Sequence, residues 1–286
     1  MVSVAPFLRW VGGKPWFAEE HAHYLPVVAA GCTYHQPFMG GGSPFFQCYA
    51  GHRPAVLSDV NERLVATYTA VRDHVEDLIA ELAGHPYERE HYYEVRRRLN
   101  TEPDAPLVQR AAWFLAINRH GFNGLWRVNR RGECNVPFGD GGTGFFDVAA
   151  LRRASAALRG VEIRKATFID ALRTASSGDA VFLDPPYVPV GKTANFVGYS
   201  IDGFGPADHA ALGEALVWLD ARGVRFCLTN ADTPETRELY ARWHCARVLA
   251  TRSINSDGRG RGAVPEIVVT NYPVTVPAKA QMELWT

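Results

Sequence analysis

Chemistry in this chain concentrates at Asp184-Pro185-Pro186-Tyr187, which follows the apolar run Ala180-Val181-Phe182-Leu183. A short apolar run closed by a breaker reads as a buried strand. The prolines end it, because neither donates to a ladder and each fixes its own φ. Three groups then meet at the strand's end: the Asp184 carboxylate, the Pro185 carbonyl and the Tyr187 ring. Ligands of open α/β sheets bind just beyond the carboxyl ends of strands. Two acceptors beneath a flat aromatic surface suit a planar base carrying an amino group. For the tetrapeptide alone, a Pro-Pro turn with a capping Asp is the plainer alternative.

Three other stretches could hold a ligand at the same edge. In Phe7-Leu8-Arg9-Trp10-Val11-Gly12-Gly13-Lys14, the glycines let backbone approach a ligand, and Lys14 can meet an anion or a carbonyl. An exposed loop is the alternative. Thr33 to Phe38 reads as a strand, Met39-Gly40-Gly41-Gly42-Ser43 as a turn, and Pro44 to about Ala50 as a helix. Strand, Gly-rich turn and helix is the layout of a nucleotide-type cofactor site. The spacing is not GxGxxG and no P-loop Lys follows, so neither a dinucleotide nor a triphosphate is expected. A second strand, Ala55 to Ser58, ends in Asp59, where an acid commonly accepts from ribose hydroxyls; capping the next helix is its rival role. Phe168 and Asp170 can hold an adenine, although a core Phe and a helix cap are equally natural.

A different chemistry is carried by Asn118 to Gly139. Two short alternating segments flank a Gly-containing turn, which predicts a β-hairpin. Four arginines (119, 127, 130 and 131) and no acid fall between Arg119 and Arg131, interleaved with asparagines and aromatics. That is a local basic patch with base-reading side chains. A second Arg-rich stretch holds Arg252, Arg259 and Arg261, and its glycines suggest a loop ordered by phosphates.

The elements that must position these groups follow from pattern. The 286 residues, 47% hydrophobic and 21% charged, suffice for one large domain or one domain with an insertion. Net charge is zero, so a polyanion would be met by a patch rather than a global field. Five scattered cysteines without a CxxC pair suggest reduced thiols in the cytosol, not a disulfide framework or zinc site. No signal peptide or membrane-spanning run is expected. Residues 61 to 118 read as mostly helical, with Asn61 as a cap and Leu64-Tyr68-Val71, Leu78 and Leu82 at helix spacing. Arg96-Arg97-Arg98 reads as a solvated helix face, with lining of a phosphate backbone as the alternative. Later come a helix from Asp147 to Leu158, a strand Val161–Arg164, and a helix Ala207–Ala221 with Leu212, Leu216 and Leu219 inward. Strands Phe226–Thr229 and Ile267–Thr270 follow, and the tail beyond Pro277 has no evident role.

The ordered set FLRWVGGK, PFMGGGS, LSDVN, NRHGFNGLWRVNRRGECNVPFG, FLDPPY, KTANFVGYS, TNAD and RSINSDGRGRGAVPEIVVTNY resembles the Dam-family DNA adenine methyltransferases, the α-group of amino methyltransferases. The resemblance covers nearly the whole chain. It implies an α/β fold: a Rossmann-like S-adenosylmethionine-dependent methyltransferase sheet (residues 1–60 and 160–286) with an inserted, mostly helical target-recognition domain (61–159) carrying the hairpin. It implies S-adenosylmethionine as donor, S-adenosylhomocysteine as product and no metal, since a sulfonium methyl is already activated. The acceptor it implies is the N6 amine of a flipped adenine in double-stranded DNA, in GATC or a related site.

Carried over residue by residue, Trp10 and Lys14 belong to the N-terminal cofactor motif, and Phe38, Gly40 and Gly42 match FxGxG. Asp59 matches the ribose-binding acid. Asp184 touches cofactor and target, with Pro185 and Tyr187 completing the catalytic set. Phe122 matches an aromatic wedge, and Asn123, Leu125, Arg127 and Pro137 match base-contact positions. Arg9 matches a basic contact near the N-terminal motif; Arg119, Arg130, Arg252 and Arg259 would sit on DNA. Asp140-Gly141 departs from the basic-aromatic pair of many members and opposes the phosphate backbone. A cytoplasmic, nucleoid-associated monomer is expected. A cytosine-C5 enzyme would need a Pro-Cys nucleophile, which is missing. Cytosine-N4 transfer usually puts Ser in place of the Asp, and RNA or protein acceptors would leave the arginine hairpin unexplained. A catalytically idle DNA-binding regulator is disfavoured by the intact Asp184, Tyr187, Lys14 and glycine turn.

Overall fold

A computed structural model of the chain describes residues 3–139, 146–188, 203–251 and 263–275. Seven strands form one sheet: β1 (Tyr34–Gln36), β2 (Ala55–Asp59), β3 (Glu162–Lys165), β4 (Ala180–Leu183), β5 (Arg225–Ala231), β6 (His244–Thr251) and β7 (Ala263–Thr270). Their order is β3-β2-β1-β4-β5-β7-β6. The first five run parallel, and β7 enters antiparallel between β5 and β6. Chain order reverses between β1 and β4, the switch point where such sheets open a ligand crevice at their carboxyl edge.

Strand β4 forms because its apolar residues are buried on both faces, as a central parallel strand requires. Phe182 faces one hydrophobic core with Leu57, Cys227 and Val268. Val181 and Leu183 face the other, with Phe226, Leu228, Ile267 and Val269. That second core is closed by α7 (Phe168–Arg173) and α8 (Pro206–Ala221), whose Leu212, Leu216 and Leu219 point inward as the periodicity predicts.

The first core runs without a break into α2 (Glu62–Asp73), α3 (Val75–Leu82), α4 (Arg89–Thr101), α5 (Leu107–His120) and α6 (Val148–Leu158). Leu64, Tyr68, Val71, Leu78 and Leu82 are all buried in it, beside the sheet residue Leu57. The packing is therefore continuous across residues 60 and 160. Two short helices complete the described α-helices, α1 (Pro15–Glu20) and α9 (Pro234–Leu239).

Several local expectations change. The first strand is limited to Tyr34–Gln36, and the helix after the glycine turn is a single wide turn of π type, Phe45–Tyr49. Strand β6 was not expected: its sequence HCARVLAT does not alternate cleanly, and it is specified by eight residues of register with β7. Arg96-Arg97-Arg98 is not a uniformly solvated face. Arg97 is exposed and pairs with Glu94 at 2.6 Å. Arg96 donates to the Val136 carbonyl at 2.7 Å, and Arg98 lies 4.4 Å over the Trp113 ring. All five cysteines are free thiols, and among the described residues no helix is long and apolar enough to cross a membrane.

Candidate active site and the arginine hairpin

The glycine turn follows β1 and lies beside the end of β2. Gly40 N–H donates to Asp59 Oδ2 at 3.2 Å and Asn61 N–H to Oδ1 at 3.0 Å. Asn61, not Asp59, caps α2, its side chain accepting from Arg63 and Leu64 N–H; the capping alternative for Asp59 is thereby removed. Burial pushes the Asp59 carboxyl up to about 6, against the opposing pull of the N–H groups of Asn61, Gly40 and Val60.

Gly40 and Gly42 have φ of +43° and +71°, in the left-handed region. A Cβ on Gly40 would lie 2.9 Å from Trp10 Nε1, and one on Gly42 2.6 Å from the Tyr68 hydroxyl. The close approach these glycines serve is thus that of the protein's own rings, with Trp10 a wall behind the turn, stacked on Phe114. Phe38 stacks on Phe168, centroids 5.5 Å apart and planes 24° apart, and both are half-buried at this edge. Asp170 accepts from the Thr167 hydroxyl at 2.8 Å while its own N–H donates back to Thr167 Oγ1. The cap of α7 is thus Thr167, not Asp170, which sits exposed in the first turn of the helix and faces the cap.

Asp184 stands one residue past β4. Lys14 Nζ lies 2.9 Å from its Oδ1 and 3.0 Å from its Oδ2, and also donates to Gly12 O at 2.8 Å. Thr229, on the adjoining β5, donates its hydroxyl to Asp184 Oδ1 at 2.8 Å. Lys14 is only 4% exposed, and its ammonium sits 4.7 Å over the centre of the Tyr187 ring. Tyr187 is half-buried and donates to Glu266 Oε2 at 2.7 Å. Burial, reinforced by the nearby Asp184 and Glu266 carboxylates, raises the Tyr187 phenol well above its ordinary value. Pro185 is buried beneath. Lys14 and Asp184 are therefore joined in one ion pair across 170 residues of chain.

Thr229 and Glu266 were not singled out from sequence as site residues. An acid inside the apolar closing strand Val264-Pro265-Glu266-Ile267 was the available signal. Thr229 reaches Asp184 only because β5 lies beside β4, with Leu183 opposite Leu228.

Residues 118–139 form a hairpin closed by two isolated bridges, Gly121 with Phe138 and Val128 with Cys134, rather than by full strands. Its turn is braced by Asn129, whose side chain accepts from the N–H groups of Arg131 and Glu133. Trp126, Cys134 and Val136 point into the core, while Phe122, Asn123, Arg127, Arg130, Arg131 and Pro137 are exposed. Leu125 and Arg119 are half-buried. Phe122, 46% exposed, is the most solvent-facing aromatic on this hairpin, and Asn123 beside it adopts a left-handed φ of +54°. Arg127 is held by Asn135 at 2.8 Å.

Asn118, 3% exposed at the end of α5, ties the hairpin to the N-terminal motif. It accepts from Arg9 N–H at 3.1 Å and donates to Arg9 O at 2.6 Å and Gly124 O at 3.4 Å. The Arg9 side chain itself is exposed. Arg252, Arg259 and Arg261, together with Asp140-Gly141, lie outside the described residues. Among the described residues no group of three or more His, Cys, Asp or Glu side chains is arranged to hold a metal.

The strand order, the switch-point crevice and the cluster beyond β4 define a Rossmann-like methyltransferase fold. The chain belongs to the D12 class N6 adenine-specific DNA methyltransferases, whose family pattern it matches over residues 10–254. It is 32% identical to the type II methyltransferase M1.LlaDCHI of Lactococcus lactis subsp. cremoris, over 95% of this chain and 96% of that one. It is 33% identical to a DNA adenine methylase of Escherichia coli K12, over 96% and 98%. Type II methyltransferase M.MjaIII of Methanocaldococcus jannaschii is 32% identical over 95% of this chain and all of that one. Membership makes the protein a DNA adenine methyltransferase and implies S-adenosylmethionine as methyl donor.

Proposed function

We propose that this enzyme is a site-specific DNA-methyltransferase (adenine-specific) that methylates the N6 amine of an adenine flipped out of double-stranded DNA, at GATC or a related short site. The observation that carries the reading is the Asp184 carboxylate. It is fixed by Lys14 and Thr229 beside a half-buried Tyr187 ring, at the sheet's switch point.

An adenine amine is a poor nucleophile, because its lone pair is delocalised into the ring. Within a duplex it is also out of reach, and extrusion costs a few kcal/mol. Tyr187 offers a stacking surface for the extruded base. An ionised carboxylate has about four acceptor positions. Lys14 and Thr229 leave room on Asp184 for one amine N–H, and the Pro185 carbonyl takes the other. Accepting both draws electron density onto nitrogen and favours the tetrahedral geometry that attacks. Asp184 then stabilises the nitrogen as it becomes cationic, and the proton leaves to water. Lys14 holds the carboxylate in place, which is the alignment on which such a transfer depends.

The donor set at the edge fits S-adenosylmethionine. Asp59 presents carboxylate lone pairs suited to a ribose diol, with Trp10, Phe38, Gly40 and Gly42 shaping the turn and Phe168 and Asp170 at the adenine end. When bound, the cofactor supplies an activated sulfonium methyl. Residues 61–159 are read as the recognition region, with Phe122 as the wedge and Asn123, Leu125, Arg127 and Pro137 on bases. Arg9, Arg119, Arg130, Arg252 and Arg259 are assigned to phosphates. A cytoplasmic, nucleoid-associated monomer is part of the same reading.

Asp184→Ala is expected to abolish methyl transfer to duplex DNA while DNA binding stays largely intact. Near-normal methylation by this variant would end the assignment. Mapping N6-methyladenine in DNA from cells expressing the wild type reads out the target site.

A further inference from the structure

Glu266 is an acid where a sheet should have none. It lies in β7 between two hydrogen-bonded neighbours, opposite Ala231 of β5 and Val248 of β6, and is 3% exposed. Burying a carboxylate there is costly unless it is hydrogen-bonded. Alternation puts Glu266 on the same face as Val268, whose core also contains Phe182 of β4. On that face Glu266 Oε2 accepts from the Tyr187 hydroxyl at 2.7 Å. Tyr187 lies on an irregular segment after two prolines, so its backbone has no ladder to hold it. The neighbouring Val188 N–H donates to Asn230 Oδ1 at 3.3 Å, and the rigid strand β7 adds a hold on the ring itself.

We propose that Glu266 is a positioning residue for the methyl transfer: through the Tyr187 hydroxyl it sets the angle of the ring on which the target adenine stacks. The inference rests on the stacking role given to Tyr187 above. It accounts for a tyrosine at this place. A phenylalanine would present nearly the same π-face, and the hydroxyl adds a tie to a buried acceptor. Burial and the two nearby carboxylates keep the phenol protonated, so it remains a donor. A sheet-anchored acceptor also limits the ring's drift toward Lys14, whose ammonium already lies 4.7 Å from the ring centre.

The test uses the full chain and compares Glu266→Gln, Glu266→Met, Tyr187→Phe and the Tyr187→Phe/Glu266→Met double variant. Each is assayed for single-turnover methylation at saturating duplex and S-adenosylmethionine, for S-adenosylhomocysteine affinity and for thermal melting. Glu266→Gln keeps an acceptor oxygen and is expected to retain most of the rate. Glu266→Met and Tyr187→Phe should each lower the rate about 10–100-fold, the range a misplacement near 1 Å produces, with cofactor affinity unchanged. The double variant removes donor and acceptor together, so it should regain melting temperature lost by Glu266→Met. Its rate should nevertheless stay as low as that of Tyr187→Phe. A wild-type rate in Glu266→Met overturns the proposal. So does a double variant whose rate recovers with its stability, because Glu266 would then matter only to folding. Tyr187→Ala separates the two layers. If it methylates normally, the stacking role fails first; if it is dead while Tyr187→Phe and Glu266→Met are both normal, only the Glu266 inference fails.

Discussion

Asp184 and Asp59 are both acids at the carboxyl edge of the sheet, yet their surroundings give them different work. Asp184 meets an ammonium and a hydroxyl, while both Asp59 oxygens accept from backbone N–H groups. Burial nevertheless outweighs those N–H groups and lifts Asp59 to about 6. A carboxyl with its native pKa above the unfolded value binds its proton more readily when folded, so it withdraws stability as pH rises from about 4 through 6. On the proposed reading ribose hydroxyls favour the ionised form, so below pH 6 cofactor binding would also expel a proton. S-adenosylhomocysteine affinity, measured by calorimetry, is expected to weaken about tenfold between pH 7 and 5. Asp59→Asn should bind weakly with a flat profile. A wild-type profile that is already flat would remove Asp59 from the cofactor site. Residue types alone left open whether this acid capped a helix; Asn61 occupying the cap answered that.

Among the elements, the hairpin depends most on its anchors. Two bridges alone cannot hold it as a free ribbon. Asn100 grips Cys134 through both N–H and carbonyl, and Asn118 clamps Arg9 to Gly124. A Cβ on Gly124, where φ is +64°, would come within 2.6 Å of the Arg9 side chain, so the two segments touch directly. Asn118→Ala leaves buried backbone groups without partners, each costing about 1–3 kcal/mol. Amide hydrogen exchange should quicken over residues 9–13 and 120–128 and stay slow in β4 and β5. Unchanged exchange in both segments would show that the clamp is redundant. The hairpin was legible from its turn chemistry and alternation. Its clamp was not, because an asparagine ending an apolar helix does not reveal which chain it will meet.

Over the whole molecule, 30 basic and 30 acidic residues cancel, so attraction to DNA must come from where charges sit. Arg127, Arg130 and Arg131 are exposed on the same hairpin that exposes Phe122. On the proposed reading, Arg127 faces a guanine and Arg130 a phosphate. Arg127→Ala should then cost about 1–3 kcal/mol at one base pair and relax discrimination there. Arg130→Ala should weaken all sequences alike and flatten the plot of log affinity against log salt by about 0.9. A sequence-independent loss in Arg127→Ala would turn it into a phosphate contact.

What the amino-acid sequence determined by itself was local: buried strands from apolar runs, turns from glycine and proline, inward faces from periodicity, and the acids and rings at strand ends. Those depend on steric limits and hydrophobic alternation within a few residues. Tertiary structure alone decided which ends would meet. It joined Lys14 to Asp184, Thr229 to Asp184 and Glu266 to Tyr187, and it gave the irregular HCARVLAT segment a strand's partner. Strand order is set by how both faces of the whole sheet are covered, and no window of neighbouring residues contains that information.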